Sequence, residues 1–149
     1  MNQIWTPHLT VAAVIERNGR YLMVEEISDG LQVFNQPAGH VEEHETLLAA
    51  VRREVLEETG RHFEPEAICG IYRWHNPHNR ITYLRISYAG RCSERLPDSK
   101  LDQDILATHW LDYAQLQARQ AQLRSPLVLR GIDDYLAGQR LPLDLVDER

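Results

Sequence analysis

The spacing of hydrophobic residues changes along the chain and divides it into predicted strands and helices. Short apolar runs rich in Val and Ile, bounded by turn residues, predict strands at 8–15, 21–27, 67–74, 81–91 and 107–111, with a short extended piece at 32–35. Asn18-Gly19 is a strong hairpin signal between the first two strands, and Asp29-Gly30 marks the next turn. Residues 75–80 and 97–103 are polar and are predicted to be loops.

Helical spacing first appears after the loop that begins at Ala38-Gly39. An apolar stripe predicts a helix over residues 46–59, with Gly60 as the residue just past its end. The stripe consists of Leu47, Leu48, Val51 and Val55.

Two further helices are predicted from their starting residues. Asp112, followed three residues later by Gln115, forms a capping box, and Ser125-Pro126 is a typical helix start, with Gly138 at the end of that last helix. Strands and helices interleave without regular βαβ alternation. This order favours a mixed sheet flanked by helices over a Rossmann fold.

Three glutamates lie near the C-terminal end of the helix predicted over residues 46–59. Glu54 and Glu58 are four residues apart, and Glu57 lies three from Glu54, so like charges are neighbours at a cost of roughly 0.2–0.5 kcal/mol per pair. The helix dipole also disfavours carboxylates at this end. A solvated acidic face is the simplest alternative, but the double penalty favours a divalent-metal site.

The spacing of residues 39–61 is specific. It follows G-x5-E-x7-R-E-U-x-E-E-x-G, where U is aliphatic, with the fixed positions filled by Gly39, Glu45, Arg53, Glu54, Val55, Glu57, Glu58 and Gly60. This pattern resembles the Nudix box of the Nudix hydrolases. The family usually ends the box with an aliphatic residue, whereas this chain has Arg61, a departure that concerns packing after Gly60.

The resemblance implies a fold, a cofactor and roles for residues of the box. The fold would be α/β (α+β), with a mixed β-sheet in an α/β/α sandwich, and residues 1–149 would form a single domain. Glu54, Glu57 and Glu58 would bind the metal together with the carbonyl of Gly39. Glu54 is also the most plausible base, and Arg53 would orient a glutamate. Oxygen ligands suit Mg²⁺, with Mn²⁺ possible, whereas zinc would favour His and Cys.

Candidates for substrate binding lie outside the box. Phe34 could stack on a flat base, as could Trp5, Trp74 and Tyr83. Arg85 and Arg124 could meet phosphate, the latter beside the amides that begin the last helix. For each of these residues, an ordinary core, surface or capping role is the alternative.

Other polar residues carry weaker signals. Glu45 is favoured at the helix start by the dipole alone, so a direct catalytic role and a purely structural one both stay open, whereas for Glu42 and Glu43 the structural account is preferred. Many Nudix proteins have an acidic residue near the metals at about the position of Asp104, which follows Asp102 here. His75 and His78 form an H-x-x-H, which in a loop is more typical of exposed histidines than of a metal site.

Composition and charge narrow the range of molecules that the protein is expected to bind. A net charge of −6 with a pI of about 5.6 disfavours a broad grip on nucleic acid, so a small-molecule substrate and no DNA are expected. The apolar run at 9–15 is too short for a membrane span and lacks the preceding basic segment of a signal peptide. Cys69 and Cys92 lack CxxC spacing, which is typical of a reduced cytoplasmic protein. The oligomeric state stays open.

Stretches outside the box suggest a branch of the family. The segments FNQPAGHVE, LRSPLV and GQRLPLDL resemble the NudJ group of bacterial Nudix phosphatases. That group acts on nucleoside di- and triphosphates, on the pyrophosphate of the thiamin pyrimidine precursor and on thiamin pyrophosphate. Two alternatives remain: a non-catalytic nucleotide-sensing Nudix module, which usually has lost some of these glutamates, and an RNA 5′-pyrophosphohydrolase, which would favour a basic surface.

Overall fold

The computed structural model describes residues 2–149 as a mixed sheet with helices on both faces. The elements are β1 (His8–Arg17), β2 (Arg20–Ser28), β3 (Leu31–Asn35), β4 (Ala38–His40), α1 (Leu47–Thr59), β5 (Phe63–His75), β6 (Thr82–Cys92), β7 (Ile105–Asp112), α2 (Tyr113–Ala118) and α3 (Leu127–Leu136). All predicted strands and helices are present. The predicted fold class, a mixed sheet in an α/β/α sandwich, is confirmed.

The sheet follows the order β3-β2-β1-β6-β5, in which β1 and β6 are parallel and the other neighbours are antiparallel. Strands β1 and β2 pair only beside their hairpin, at Glu16–Tyr21 and Arg17–Arg20. Farther along, β1 pairs with β4 instead, and β7 pairs with the other edge of β2. Residues 38 and 39, predicted as loop, are therefore in a short strand, because β1 offers an open edge there.

Strand alternation divides the core into two layers. In β1, Val11, Ala13 and Ile15 face α1, whereas Val14 faces the layer that holds α2 and α3. Side chains of successive strand residues point to opposite faces of a sheet. A strand buried on both faces therefore reads as a continuous apolar run, as it does in the sequence.

The predicted helix ends are largely confirmed. Thr46 accepts a hydrogen bond from the N–H of Ala49 at 3.1 Å, and Gly60 ends α1 in the left-handed conformation with φ of 70°. The capping box at the start of α2 is present. Helix α3 begins at Leu127, one residue later than predicted, although the Ser125 hydroxyl still accepts from the Leu127 N–H at 3.2 Å.

Arg61, which replaces the usual aliphatic residue at the end of the box, packs through its planar guanidinium group. Its guanidinium lies 5.3 Å from the ring centroid of Trp110, and it donates to the Ser93 carbonyl at 3.0 Å. The side chain is only 12% exposed. Stacking over an aromatic face therefore substitutes for the aliphatic packing usual at this position.

The segment after α3 returns across the sheet to the start of α1. Leu141 exchanges backbone hydrogen bonds of 2.8 and 2.9 Å with Ile68 of β5. Near the C-terminus, Glu148 accepts a 2.6 Å hydrogen bond from the N–H of Leu47, the first residue of α1. The start of the glutamate-bearing helix is thus tied to the C-terminal segment. None of the helices in residues 2–149 has the length and apolar character needed to cross a membrane.

Candidate active site

The second half of α1 places two carboxyl groups in the protein interior. Glu54 and Glu58 lie one turn apart and are only 8% and 6% exposed. Both line a cavity of about 690 Å³. Glu57 keeps 41% of its side chain in solvent. The three predicted metal ligands therefore differ in environment, with two on the cavity wall and one nearer the surface.

Burial dominates the protonation of Glu58. Its Oε1 accepts a 2.9 Å hydrogen bond from the N–H of Ala38, which favours the ionised form. Removal from water is the larger effect, and the charges of Glu26 and Glu54 act in the same direction, so the pKa of Glu58 rises to about 9. Without a bound cation this carboxyl holds a proton at neutral pH.

Glu54 lies in a less extreme environment. Burial raises its pKa to about 7, while Arg53 acts to lower it. The acidic neighbours Glu57 and Asp102 also raise this pKa but are the smaller cause. The carboxyl lies against Gly39, where an added Cβ would collide with it. A group that titrates near neutrality can accept a proton from water.

Arg53 connects the start of the box to its glutamates. Its Nε and Nη2 donate to the two oxygens of Glu45 at 2.7 and 2.9 Å, and Nη2 also donates to the His40 carbonyl at 3.0 Å. Its Nη1 donates to Glu54 at 2.9 Å and Glu57 at 3.2 Å. Glu45 thus orients Arg53 through a two-pronged ion pair. This pairing lowers the pKa of Glu45 and raises that of Arg53.

The other acidic residues of the box region are more exposed. Glu43 keeps 87% of its side chain in solvent, and its nearest ionic partner is the equally exposed His44. Glu42 is 68% exposed at the edge of the cavity. An ordinary surface role therefore suffices for both.

The donors on this part of the wall suit a hard cation. Glu54 and Glu58 offer carboxylate oxygens, and Gly39 borders the same cavity. Among residues 2–149, no three carboxylate, imidazole or thiol side chains are grouped to hold one ion. Arg53 draws the side chains of Glu54 and Glu57 toward itself, because its Nη1 donates to both. Mg²⁺ keeps several waters and needs only one or two carboxylates, so the buried pair fits it.

The two arginines predicted to meet phosphate line the same cavity. Arg124 donates through Nη1 to Glu26 at 2.7 Å. Arg85 is 6% exposed and donates through Nη2 to Gln36 Oε1 at 2.6 Å. The cavity therefore has carboxyl groups from α1 and guanidinium groups from β6 and from the loop before α3. A ligand that carries phosphates and binds metal matches this combination.

Aromatic residues form another part of the wall, but Phe34 is not one of them. Trp74 and Tyr83 are paired across β5 and β6, with ring centroids 6.2 Å apart and planes at 21°. Val33 and Asn35 line the cavity, so strand alternation turns Phe34 toward the opposite core layer. The structure therefore does not support Phe34 as a substrate-binding residue. Trp5, 63% exposed, is also outside the cavity lining.

Between the two loop aspartates, the structure favours Asp102 over Asp104. The charge of Asp102 contributes to the raised pKa values of Glu54 and Glu58, and its N–H donates to the Glu57 carbonyl at 2.9 Å. Asp104 instead accepts from the Ile27 N–H through its backbone carbonyl. The two aspartates could not be told apart from sequence, because the loop predicted at 97–103 carries no periodic pattern.

The H-x-x-H histidines do not form a metal site in the described part of the chain. His75 Nδ1 lies 2.9 Å from the Thr82 hydroxyl, and His78 is exposed at the cavity edge.

Several residues at the cavity were missed from sequence: Glu26, Asn35 and His40 line it, and Gln36 contacts Arg85 of the wall. Glu26 could have been found from sequence. It lies four residues after Leu22 in the same strand, so both side chains point to the same face of the sheet, and both are buried. A carboxylate at such a position needs a partner, which here is an arginine distant in sequence. The amides and His40 carried no such signal.

Comparisons with known proteins identify the family of this chain. A model of the NUDIX domain matches residues 6–130. The protein named Phosphatase NudJ from Escherichia coli K12 is 38% identical over 146 residues, which cover 97% of this chain and 94% of that protein. The protein of the same name from Shigella sonnei is 37% identical over 145 residues, with the same coverage.

Solved structures show the same fold. A NUDIX hydrolase from Nitrosomonas europaea superposes with a TM-score of 0.95 at 47% identity, covering 97% of this chain and 98% of that one. A MutT NUDIX hydrolase from Burkholderia pseudomallei has a TM-score of 0.70 at 21% identity, covering 87% and 98%, and supports the fold alone. With the eight fixed positions of the box filled, two of its glutamates buried, and relatives matched over nearly their full length, the chain belongs to the Nudix hydrolases, enzymes that act on phosphoric anhydrides.

Proposed function

We propose that the protein hydrolyses small phosphorylated compounds with Mg²⁺, or with Mn²⁺, by attack of water on a phosphate or pyrophosphate linkage. Nucleoside di- and triphosphates, thiamin pyrophosphate and the pyrophosphate of its pyrimidine precursor are the substrates we expect. The observation that carries the proposal is the pair of buried carboxyls, Glu54 and Glu58, on the wall of a cavity that also holds two arginines.

Glu54 and Glu58 would hold the metal with the carbonyl of Gly39, and Glu57, which is 41% exposed and bonded to Arg53, would turn toward them to complete the set. When bound, the metal would neutralise phosphate oxygens and lower the pKa of a coordinated water. Glu54 suits the role of base because it lies on the cavity wall and burial raises its pKa to about 7 before a cation binds. Arg53 holds that carboxyl in place through its 2.9 Å hydrogen bond.

Substrate would be bound by the remaining walls. Arg85 and Arg124 supply positive charge for phosphate groups, and Trp74 and Tyr83 offer aromatic surface for a flat ring. The free thiols of Cys69 and Cys92 fit a protein of the reducing cytoplasm. The relatives named Phosphatase NudJ support release of phosphate as one outcome of the reaction.

Two alternative functions are each disfavoured by one feature of the chain. A sensing module needs no hydrolytic site, and the retention of Glu54, Glu57 and Glu58 disfavours it. An RNA 5′-pyrophosphohydrolase needs a basic surface to hold the chain, and the net charge of −6 disfavours that reading.

Product analysis tests the proposal. We would measure phosphate and pyrophosphate release from nucleotides, thiamin pyrophosphate and its pyrimidine precursor, with Mg²⁺ and with EDTA. Metal-dependent release is expected, and the product identifies the bond that is cut. Folded protein that binds nucleotide without releasing either product would favour the sensing module.

Variants assign the release to this site. Glu58→Gln should lose activity by orders of magnitude and retain the fold. Glu43→Gln, which removes the same charge from an exposed side chain, serves as the matched control and should turn over normally.

A further inference from the structure

Arg85 is a buried cation that contacts no carboxylate in residues 2–149, although the charge of Glu26 acts on it from farther away. It is 94% buried on the cavity wall, forms no salt bridge within the described chain, and its Nε has no hydrogen-bond partner there. Arg124, the other cavity arginine, differs in both respects, because it is paired with Glu26 at 2.7 Å and is 41% exposed.

The guanidinium of Arg85 is held in place by neutral amides. Gln36 donates through Nε2 to the Val128 carbonyl at 2.8 Å, which fixes the orientation of its amide. Gln36 Oε1 therefore accepts from Arg85 Nη2 at 2.6 Å, and Asn35 Oδ1 lies 3.5 Å from both terminal nitrogens. This arrangement orients the cation without cancelling its charge.

An uncompensated buried charge is costly for a folded protein. Burial, followed by the nearby positive charge of Arg124, lowers the pKa of Arg85 to about 10. The group still carries its proton at neutral pH. Such a cost is typical of a functional site whose counter-charge arrives with a ligand.

We propose that Arg85, oriented by Asn35 and Gln36, forms an anion subsite that binds a phosphoryl group of the substrate, the group that is not attacked. This inference rests on the proposed function for the source of the phosphate. The planar fork of a guanidinium matches two oxygens of one phosphoryl group. The substrate would then bridge the cavity, with one phosphate among the glutamates of α1 and another on Arg85. Compounds with a diphosphate would be bound more tightly than monophosphates of the same base.

The test uses methylenediphosphonate, whose P–C–P link resists hydrolysis, titrated calorimetrically into the full chain with Mg²⁺ and again with EDTA. In Arg85→Gln we expect binding to weaken by roughly ten- to a hundredfold, the range for lost hydrogen bonds to a charged group. Arg85→Lys keeps the charge but lacks the fork, so it should recover part of the affinity.

Arg61→Gln is the matched control. Arg61 is also nearly buried and also has an unpartnered Nε within the described chain, but it stacks on Trp110 outside the cavity. This variant should bind methylenediphosphonate like the unaltered protein. A thermal melt without ligand adds a second readout, in which Arg85→Gln should be at least as stable as the parent because a buried charge has been removed.

The outcomes separate this inference from the proposed function. Unchanged methylenediphosphonate affinity in Arg85→Gln would overturn the subsite even if hydrolysis is observed. Weakened affinity in that variant with an intact melt would support the subsite even if no substrate is cleaved. Loss of stability together with unchanged affinity would make Arg85 a structural residue.

Discussion

Replacing Glu58 with Gln should stabilise the metal-free protein while abolishing its activity. The carboxyl is 6% exposed, and its pKa is about 9 in the fold against an ordinary value of 4.5. A carboxyl whose pKa rises on folding favours the folded state below the unfolded value, and that contribution is lost as the pH rises toward the folded value.

The magnitude follows from proton uptake. At pH 7 the unfolded chain carries ionised Glu58, which must take up a proton on folding, at about 1.4 kcal/mol for each pH unit above 4.5. The cost is about 3–4 kcal/mol. Gln avoids this cost and keeps an oxygen for the Ala38 N–H, but its amide hydrogens need partners. We expect a net gain of roughly 2–3 kcal/mol, or a rise in Tm of about 4–12 °C.

The assay is thermal melting of both proteins in EDTA at pH values from 4 to 9. The stability advantage of Glu58→Gln should be smallest near pH 4 and should grow toward pH 9. With Mg²⁺ the parent should gain stability and the variant much less, because the cation then supplies the counter-charge. The variant Glu43→Gln should follow the parent at every pH.

A specific result would refute this reasoning. That result is a Glu58→Gln protein that, in EDTA, melts below the parent by the same margin at every pH from 4 to 9. Burial of the carboxyl would then not be what sets its ionisation.

Three further variants test how the site is built. Gly39→Ala should lower kcat about a hundredfold, because the added methyl displaces the Glu54 carboxyl, while a circular dichroism spectrum like the parent's shows that the fold is kept. Arg53→Lys loses the two-pronged contact with Glu45, and steady-state kinetics should show activity reduced about ten- to a hundredfold; parental kcat would exclude the positioning role. Glu148→Ala leaves the first amide of α1 without its acceptor, so chemical denaturation should show a loss of about 1 kcal/mol with kcat unchanged.

Local pattern predicted much of the architecture. Strand runs, turn pairs and caps are properties of neighbouring residues, so the order of elements and the ends of α1 followed from sequence. The exceptions were decided by distant residues: residues 38–40 became a strand because β1 offered them an edge, and Phe34 faces away from the cavity because the pairing of β3 with β2 sets its side.

The sequence by itself determined the identity of the box and the presence of Glu54 and Glu58 one turn apart on a helix. Only the tertiary structure decided that both are buried, since desolvation depends on the strands that cover them. It also brought Arg85 to Gln36, 49 residues earlier in the chain, and left that cation without a carboxylate within residues 2–149. Periodicity and caps act between near neighbours, whereas burial and charge pairing depend on contacts that form only when the sheet closes.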